Sequence, residues 1–151
     1  MQLTASVDAS HAIHRDLKGH TGMSLYISEC PIFSRSVKQK TVATSSTHAE
    51  ILALHEAIPY IIWIRALLCE LGYPQVNPTV VEQDNKSALA IYDQGWSKSN
   101  KTRHIGIKYA FINEQIKEGI IKPVYVETGK MRADILTKVT STCHFEKCYQ
   151  R

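Results

Sequence analysis

The stretch SSTHAEILALHEAIPYIIWIRALLCELGY, residues 45–73, constrains the fold more than any other part of the chain. Within it Ile51, Leu54, Ile58, Ile61, Ile64, Leu68 and Leu71 recur every three or four positions, which predicts one long helix with a buried apolar stripe, closed at Gly72. Pro59 lies inside this run and has no backbone N–H to donate, so it must kink the helix or split it. The stripe continues in phase across Pro59, which favours a kink.

The segments around this helix read as strands and further helices. Ala5 to Asp8 is a short strand, and Met23, Leu25 and Ile27 alternate with smaller or polar residues as a half-buried strand does. Pro31 to Val37 is its expected hairpin partner. Thr79-Val80-Val81 reads as an interior strand followed by a helix over Asn85 to Tyr92. A further helix carries Ile105, Tyr109, Ile112 and Ile116 and stops at Gly119. Pro123 to Val126 is a strand, and Met131, Ile135 and Val139 are in phase for a last short helix. A hairpin start followed by alternating strands and helices predicts an α/β fold, a mixed five-stranded sheet flanked by helices.

With 151 residues, 44% of them apolar, the chain is the size of one globular domain with a full core. The longest apolar run, IPYIIWIRALL, is interrupted by Pro59 and Arg65 and falls short of a membrane span of about 18 residues. The first residues lack the pattern of a secretory signal. The expectation is a soluble, intracellular chain with no membrane partner. Cys30, Cys69, Cys143 and Cys148 have no paired zinc-ligand spacing, and the CHFEKC run is one ligand short of a tetrahedral site. A net charge of +4 permits a polyanionic partner without requiring one.

Four acids stand where elements begin or end: Asp8, Glu50, Asp84 and Asp134. Each has a purely structural explanation. Asp8 can end its strand in a turn. Thr47-His48-Ala49-Glu50 fits a capping box. Asp84 can cap the helix after it, and Asp134 suits the first turn of the last helix. If the four converge instead, they form a site for hard cations, and two such ions are the usual device for displacement at phosphorus.

The runs VKQKTVATSSTHAEILAL, QDNKSA, KTRHIGIKYAFINEQI and ETGKMRADILTK, taken in this order and spacing, resemble the ribonuclease H domain of copia-type LTR retrotransposon polyproteins. The likeness covers Asp8 to about Lys138. It implies the RNase H-like fold, with residues 1–140 as the ribonuclease H domain and 141–151 as a C-terminal tail expected to be flexible. It also implies hydrolysis of the RNA strand of an RNA-DNA hybrid during reverse transcription, leaving a 3′-hydroxyl and a 5′-phosphate. Asp8, Glu50, Asp84 and Asp134 are the implied catalytic and metal-binding acids, and two Mg2+ ions, or Mn2+ in their place, the implied cofactors. In that family Asp8 would bridge both ions, Asp134 would help hold the ion that activates water, and Glu50 and Asp84 the other.

The implied partners are the hybrid and the reverse transcriptase domain of the same polyprotein, and the implied location is the cytoplasm, within a virus-like particle. Asn85 and Ser87 at a helix start are candidates for holding the RNA backbone or its 2′-hydroxyls. Lys98, Lys101, Arg103 and His104, near Trp96, form a basic cluster suited to backbone phosphates. Two features depart from other ribonucleases H. The loop Glu127-Thr128-Gly129-Lys130 has no histidine, leaving Lys130 as a candidate phosphate contact, and Asp93 to Lys101 is too short for a basic protrusion.

Two alternatives remain. One is a domesticated, non-catalytic domain of the same fold that binds nucleic acid or a partner protein. The other is an integrase or exonuclease on this fold, against which Glu50 on the first long helix is the discriminating residue.

Overall fold

The computed structural model describes residues 1–94 and 103–138, with side chains described at 1–93 and 106–138. Strands β1 (Leu3–Ser10), β2 (His20–Ile27) and β3 (Cys30–Lys38) precede the long helix α1 (Ser46–Glu70). Strand β4 (Thr79–Gln83), helices α2 (Lys86–Gln94) and α3 (Arg103–Lys117) and strand β5 (Ile121–Tyr125) follow. Two 3-10 turns, Thr128–Lys130 and Arg132–Leu136, end the described chain.

The five strands form one mixed sheet in the order β3-β2-β1-β4-β5, as the sequence pattern predicted. β1, β2 and β3 pair antiparallel, and β1, β4 and β5 pair parallel. Ser28 and Glu29 join β2 to β3 with both residues in the left-handed region (φ 48° and 71°), which matches the twist of a two-residue hairpin.

Helix α1 lies across one face of the sheet. Its residues Ile51, Leu54, Ile58, Ile61, Ile64 and Leu68 are buried together with Leu3, Ala5 and Val7 of β1, Met23 and Leu25 of β2, and Val81 of β4. The helix runs unbroken through Pro59, which lies on its exposed side, so the chain is not split there. Leu71 departs from the expected stripe: it sits just past the helix end and is exposed.

By length and composition α1 could cross a membrane, with a mean hydropathy of 1.6 over its most apolar 18 residues, a correction to the run-length expectation. Half of that window is buried inside the fold, as in the core helix of a globular domain.

The other face of the sheet is covered differently. The segment 131–137 packs on β1 and β2 through hydrogen bonds: Ala133 N–H to Ser6 Oγ (3.2 Å), Ser10 Oγ–H to the Thr137 carbonyl (3.0 Å), and the Thr137 hydroxyl to Asp8. The Arg132 guanidinium lies 3.8 Å from the centre of the Tyr26 ring and reaches both carboxylate oxygens of Glu82, at 3.0 and 3.3 Å. A Cβ on Gly22 would fall 2.7 Å from Thr137 Cγ2 and 2.9 Å from the Ala133 carbonyl oxygen, so glycine is what permits this approach. The expected last α-helix over Met131–Val139 is therefore corrected over the described residues. The segment coils as a 3-10 turn, whose longer rise per residue spreads its anchors along a single strand. Val139 and the proposed tail, 141–151, lie outside the described residues, as do Cys143 and Cys148 of the CHFEKC run.

Candidate active site

Asp8 and Asp84 meet because β1 and β4 are parallel neighbours. Ser6 stands opposite Glu82, so two residues further along each strand the two aspartates arrive level at the same edge of the sheet. Open α/β sheets bind ligands at this edge, beyond the carboxyl ends of their strands. Glu50 comes to the same place from α1. One carboxylate oxygen from each of Asp8, Glu50 and Asp84 lies within 4.8 Å of the others.

The structure corrects two helix-capping expectations. Ser45, not Thr47, caps α1, its hydroxyl accepting from the His48 N–H at 3.1 Å. Glu50 is five residues beyond that cap and makes no capping box. Its carboxylate accepts from the Ala9 N–H (3.2 Å) and from Gln83 Nε2 (3.3 Å), which aims it at the aspartates. Asn85 caps α2 by accepting from the Ala88 N–H at 3.0 Å, so Asp84 is not needed as a cap. Asp84 accepts a hydrogen bond from the Thr128 hydroxyl at 2.8 Å.

Asp134 is buried beside the triad rather than within it, and one of its oxygens is paired with the Lys138 ammonium four residues on. Burial pushes the Asp8 carboxyl above its ordinary value; the Thr137 hydrogen bond opposes this, and the charge of Asp84 adds to it. Burial pushes Glu50 up further, well beyond the ordinary glutamate value, with Asp8 and Asp84 both adding to the shift. Partial burial works against the Lys138 ammonium, but its hydrogen bond and charge pairing with Asp134 hold its pKa above the ordinary lysine value.

Crowded, desolvated carboxylates of this kind repel one another unless a cation joins them. Oxygens this close, on side chains held by other hydrogen bonds, fit a hard divalent ion. Asp8, Glu50 and Asp84 are the residues that would hold it.

The secondary candidates divide. Ser87 is exposed in the first turn of α2, one turn from Asp84. Lys130 is exposed and pairs with Glu127 at 3.0 Å. Lys98, Lys101 and Trp96 lie outside the described residues, and so do the side chains of Arg103 and His104, whose backbone begins α3. His14 and His20 share a hydrogen bond of 3.0 Å, and His20 also contacts the Ser36 hydroxyl at 2.7 Å.

Sequence reasoning missed Gln83, which orients Glu50, and Thr137, which binds Asp8. It also missed Gly22, level with Asp8 on the neighbouring strand. A signal for Thr137 and Lys138 was present in their spacing three and four residues after Asp134.

The fold is that of ribonuclease H. LC11-RNase H1, isolated from compost by a metagenomic approach, matches with a TM-score of 0.68 over 89% of this chain and 91% of its own, at 15% identity. The same enzyme in complex with an RNA/DNA hybrid matches with a TM-score of 0.62 over 89% and 93%, at 18% identity. The prototype foamy virus protease-reverse transcriptase matches with a TM-score of 0.55 over 92% of this chain and 21% of its own, at 15% identity.

In sequence, the homologues are retrovirus-related Pol polyproteins of plant and yeast transposons. The chain is 35% identical over 147 residues, 97% of its length, to the Pol polyprotein of transposon RE1 of Arabidopsis thaliana. It is 34% identical over 131 residues, 87% of its length, to that of transposon TNT 1-94 of Nicotiana tabacum. It is 27% identical over 137 residues to the transposon Ty1-DR5 Gag-Pol polyprotein of Saccharomyces cerevisiae. The chain spans about a tenth of the length of these relatives, 10%, 10% and 8% in turn. No family model matches it.

Proposed function

We propose that this chain is the ribonuclease H domain of a copia-type LTR retrotransposon and cleaves the RNA strand of RNA-DNA hybrids during reverse transcription. The observation that carries the reading is the convergence of Asp8, Glu50 and Asp84 at the carboxyl edge of the sheet, with Asp134 buried beside them. A set of caps has no reason to converge, and two of the expected caps are supplied by other residues. Asp8, Glu50, Asp84 and Asp134 would hold two divalent ions, magnesium or manganese, which supply an activated water and stabilise the leaving oxygen when bound.

The protein's own groups set the geometry. Gln83 and the Ala9 N–H hold Glu50, Thr128 holds Asp84, and Thr137 holds Asp8, so the carboxylates are positioned before substrate arrives. Ser87 and Lys130, both exposed, are the residues this reading assigns to a ribose hydroxyl and a backbone phosphate. Asn85 keeps its side-chain oxygen for the α2 cap and has its amide left to donate. The reading is supported by the likeness to Pol polyproteins, and it makes the reverse transcriptase portion of such a polyprotein a partner and the cytoplasm the place of action.

The test is cleavage of a labelled RNA-DNA hybrid beside single-stranded RNA and duplex DNA, with magnesium and then with EDTA. Cutting of the hybrid alone, abolished by EDTA and leaving a 3′-hydroxyl, is the expected result. Tight hybrid binding without cutting would favour a non-catalytic domain instead.

A further inference from the structure

The Lys138 ammonium is paired with Asp134, the fourth acid, which stands outside the close triad. Lys138 follows directly on Thr137, and Thr137 is pinned to β1 twice, by its hydroxyl on Asp8 and by its carbonyl, which accepts from Ser10 Oγ at 3.0 Å. The backbone that carries the lysine is therefore anchored at the site, while 48% of the lysine side chain is exposed and has a path to solvent. The Asp134 side chain is only 7% exposed, so a cation that reaches it must share the space with the ammonium or replace it.

Two cations of like charge cannot both sit close to one buried carboxylate without mutual repulsion. We propose that Lys138 and a second divalent ion compete for Asp134, so that ions load in two steps. The first binds at Asp8, Glu50 and Asp84, and the second binds only as the lysine side chain leaves Asp134. The lysine then keeps Asp134 charge-neutralised whenever the second ion is away. This inference rests on the metal-dependent reading above and deepens it, since it assigns the second loading step to a residue outside the four acids.

Titration calorimetry of the full chain with Mn2+, repeated with Mg2+, tests it without reference to turnover. The wild-type chain should show one tighter and one weaker site. Lys138→Gln should tighten the second about tenfold, the scale expected from removing one nearby, partly screened charge, and the first by a smaller factor, since the ammonium is paired with Asp134 while its charge also reaches Asp8 and Asp84. Lys138→Arg, which keeps the charge, should behave as wild type. Asp134→Asn should remove the second site, and adding Lys138→Gln to it should not bring that site back, the mark of two residues acting on one event. A second-site affinity that is the same in wild type and Lys138→Gln would overturn the competition and leave the ribonuclease reading standing. Failure of every variant, wild type included, to bind either ion would overturn both.

Discussion

The two faces of the sheet are held by different physics. Under α1, the contacts are aliphatic: Ile51, Leu54, Ile58 and Ile61 press on Leu3, Ala5, Val7, Met23 and Leu25, and the stabilisation comes from apolar area removed from water. Under the segment 131–137, the contacts are directional. Ser6, Ser10 and Thr137 hydrogen-bond across, Arg132 is clamped between Tyr26 and Glu82, and Gly22 leaves room for a backbone to come close. The first face tolerates small shifts of side chains, whereas the second places Asp134 and Thr137 against Asp8 and tolerates few. The candidate site takes Glu50 from the first face and Asp134 from the second, so its acids depend on both kinds of packing.

The largest effect expected is on chemistry alone. Asp8→Asn should lower hybrid cleavage by about a thousandfold or more, while circular dichroism and the unfolding transition show both faces intact. Unchanged cleavage would remove Asp8 from the site. Next, Ile58→Ala deletes volume from the aliphatic face and should cost about 3 kcal/mol in chemical denaturation, with cleavage per folded molecule close to normal.

Gly22→Ala is the complementary change on the directional face. It should cost about 2 kcal/mol by overpacking, yet depress cleavage and second-ion binding more than Ile58→Ala does, because it pushes Asp134 and Thr137 away from Asp8. Equal loss of cleavage in the two variants would break the distinction between the faces.

The smallest effect concerns pH. Asp8 and Glu50 have raised pKa values in the folded chain, so between the ordinary carboxylate values, 3.8 and 4.5, and the raised ones the folded form holds more protons than the unfolded form. Their contribution to stability is thus complete below the ordinary values and is lost as pH rises through the raised ones. In the absence of divalent ions, the unfolding midpoint should fall as pH rises above the ordinary carboxylate values and through the raised ones. Glu50→Gln should flatten that fall and stabilise the metal-free chain by about 1 kcal/mol, the scale at which a strained functional group opposes folding. A midpoint that instead rises with pH would mean that burial and mutual repulsion do not strain these carboxylates.

Much of this architecture is legible in the chain itself. The period of α1, the alternation in β2 and the glycines that close α1 and α3 are local patterns, and each marks an element where one forms. Gly72 and Gly119 have φ of 87° and 69°, conformations a side chain rarely adopts, which is why they read as stops. The four acids were identifiable by residue type and motif, and the structure gathers three of them within 4.8 Å and buries the fourth alongside.

The roles of neighbouring residues were less legible. Ser45, Ser46 and Thr47 all have hydroxyls suited to capping, and only the path of the chain into α1 selects Ser45. The same choice frees Glu50 to turn inward.

By itself, then, the sequence determined the five strands, the three α-helices and their order, and it marked four candidate acids, because hydrophobic period and turn chemistry act over a few residues. Tertiary structure decided what those acids touch. Asp8 and Thr137 are 129 positions apart, and Glu50 and Gln83 are 33 apart, so no local pattern records their contact. The parallel register of β1 and β4, the glycine at position 22 and the 3-10 coil of the last segment bring them together. Each depends on close approach between segments distant in the chain, which packing in three dimensions sets and no short stretch of sequence records.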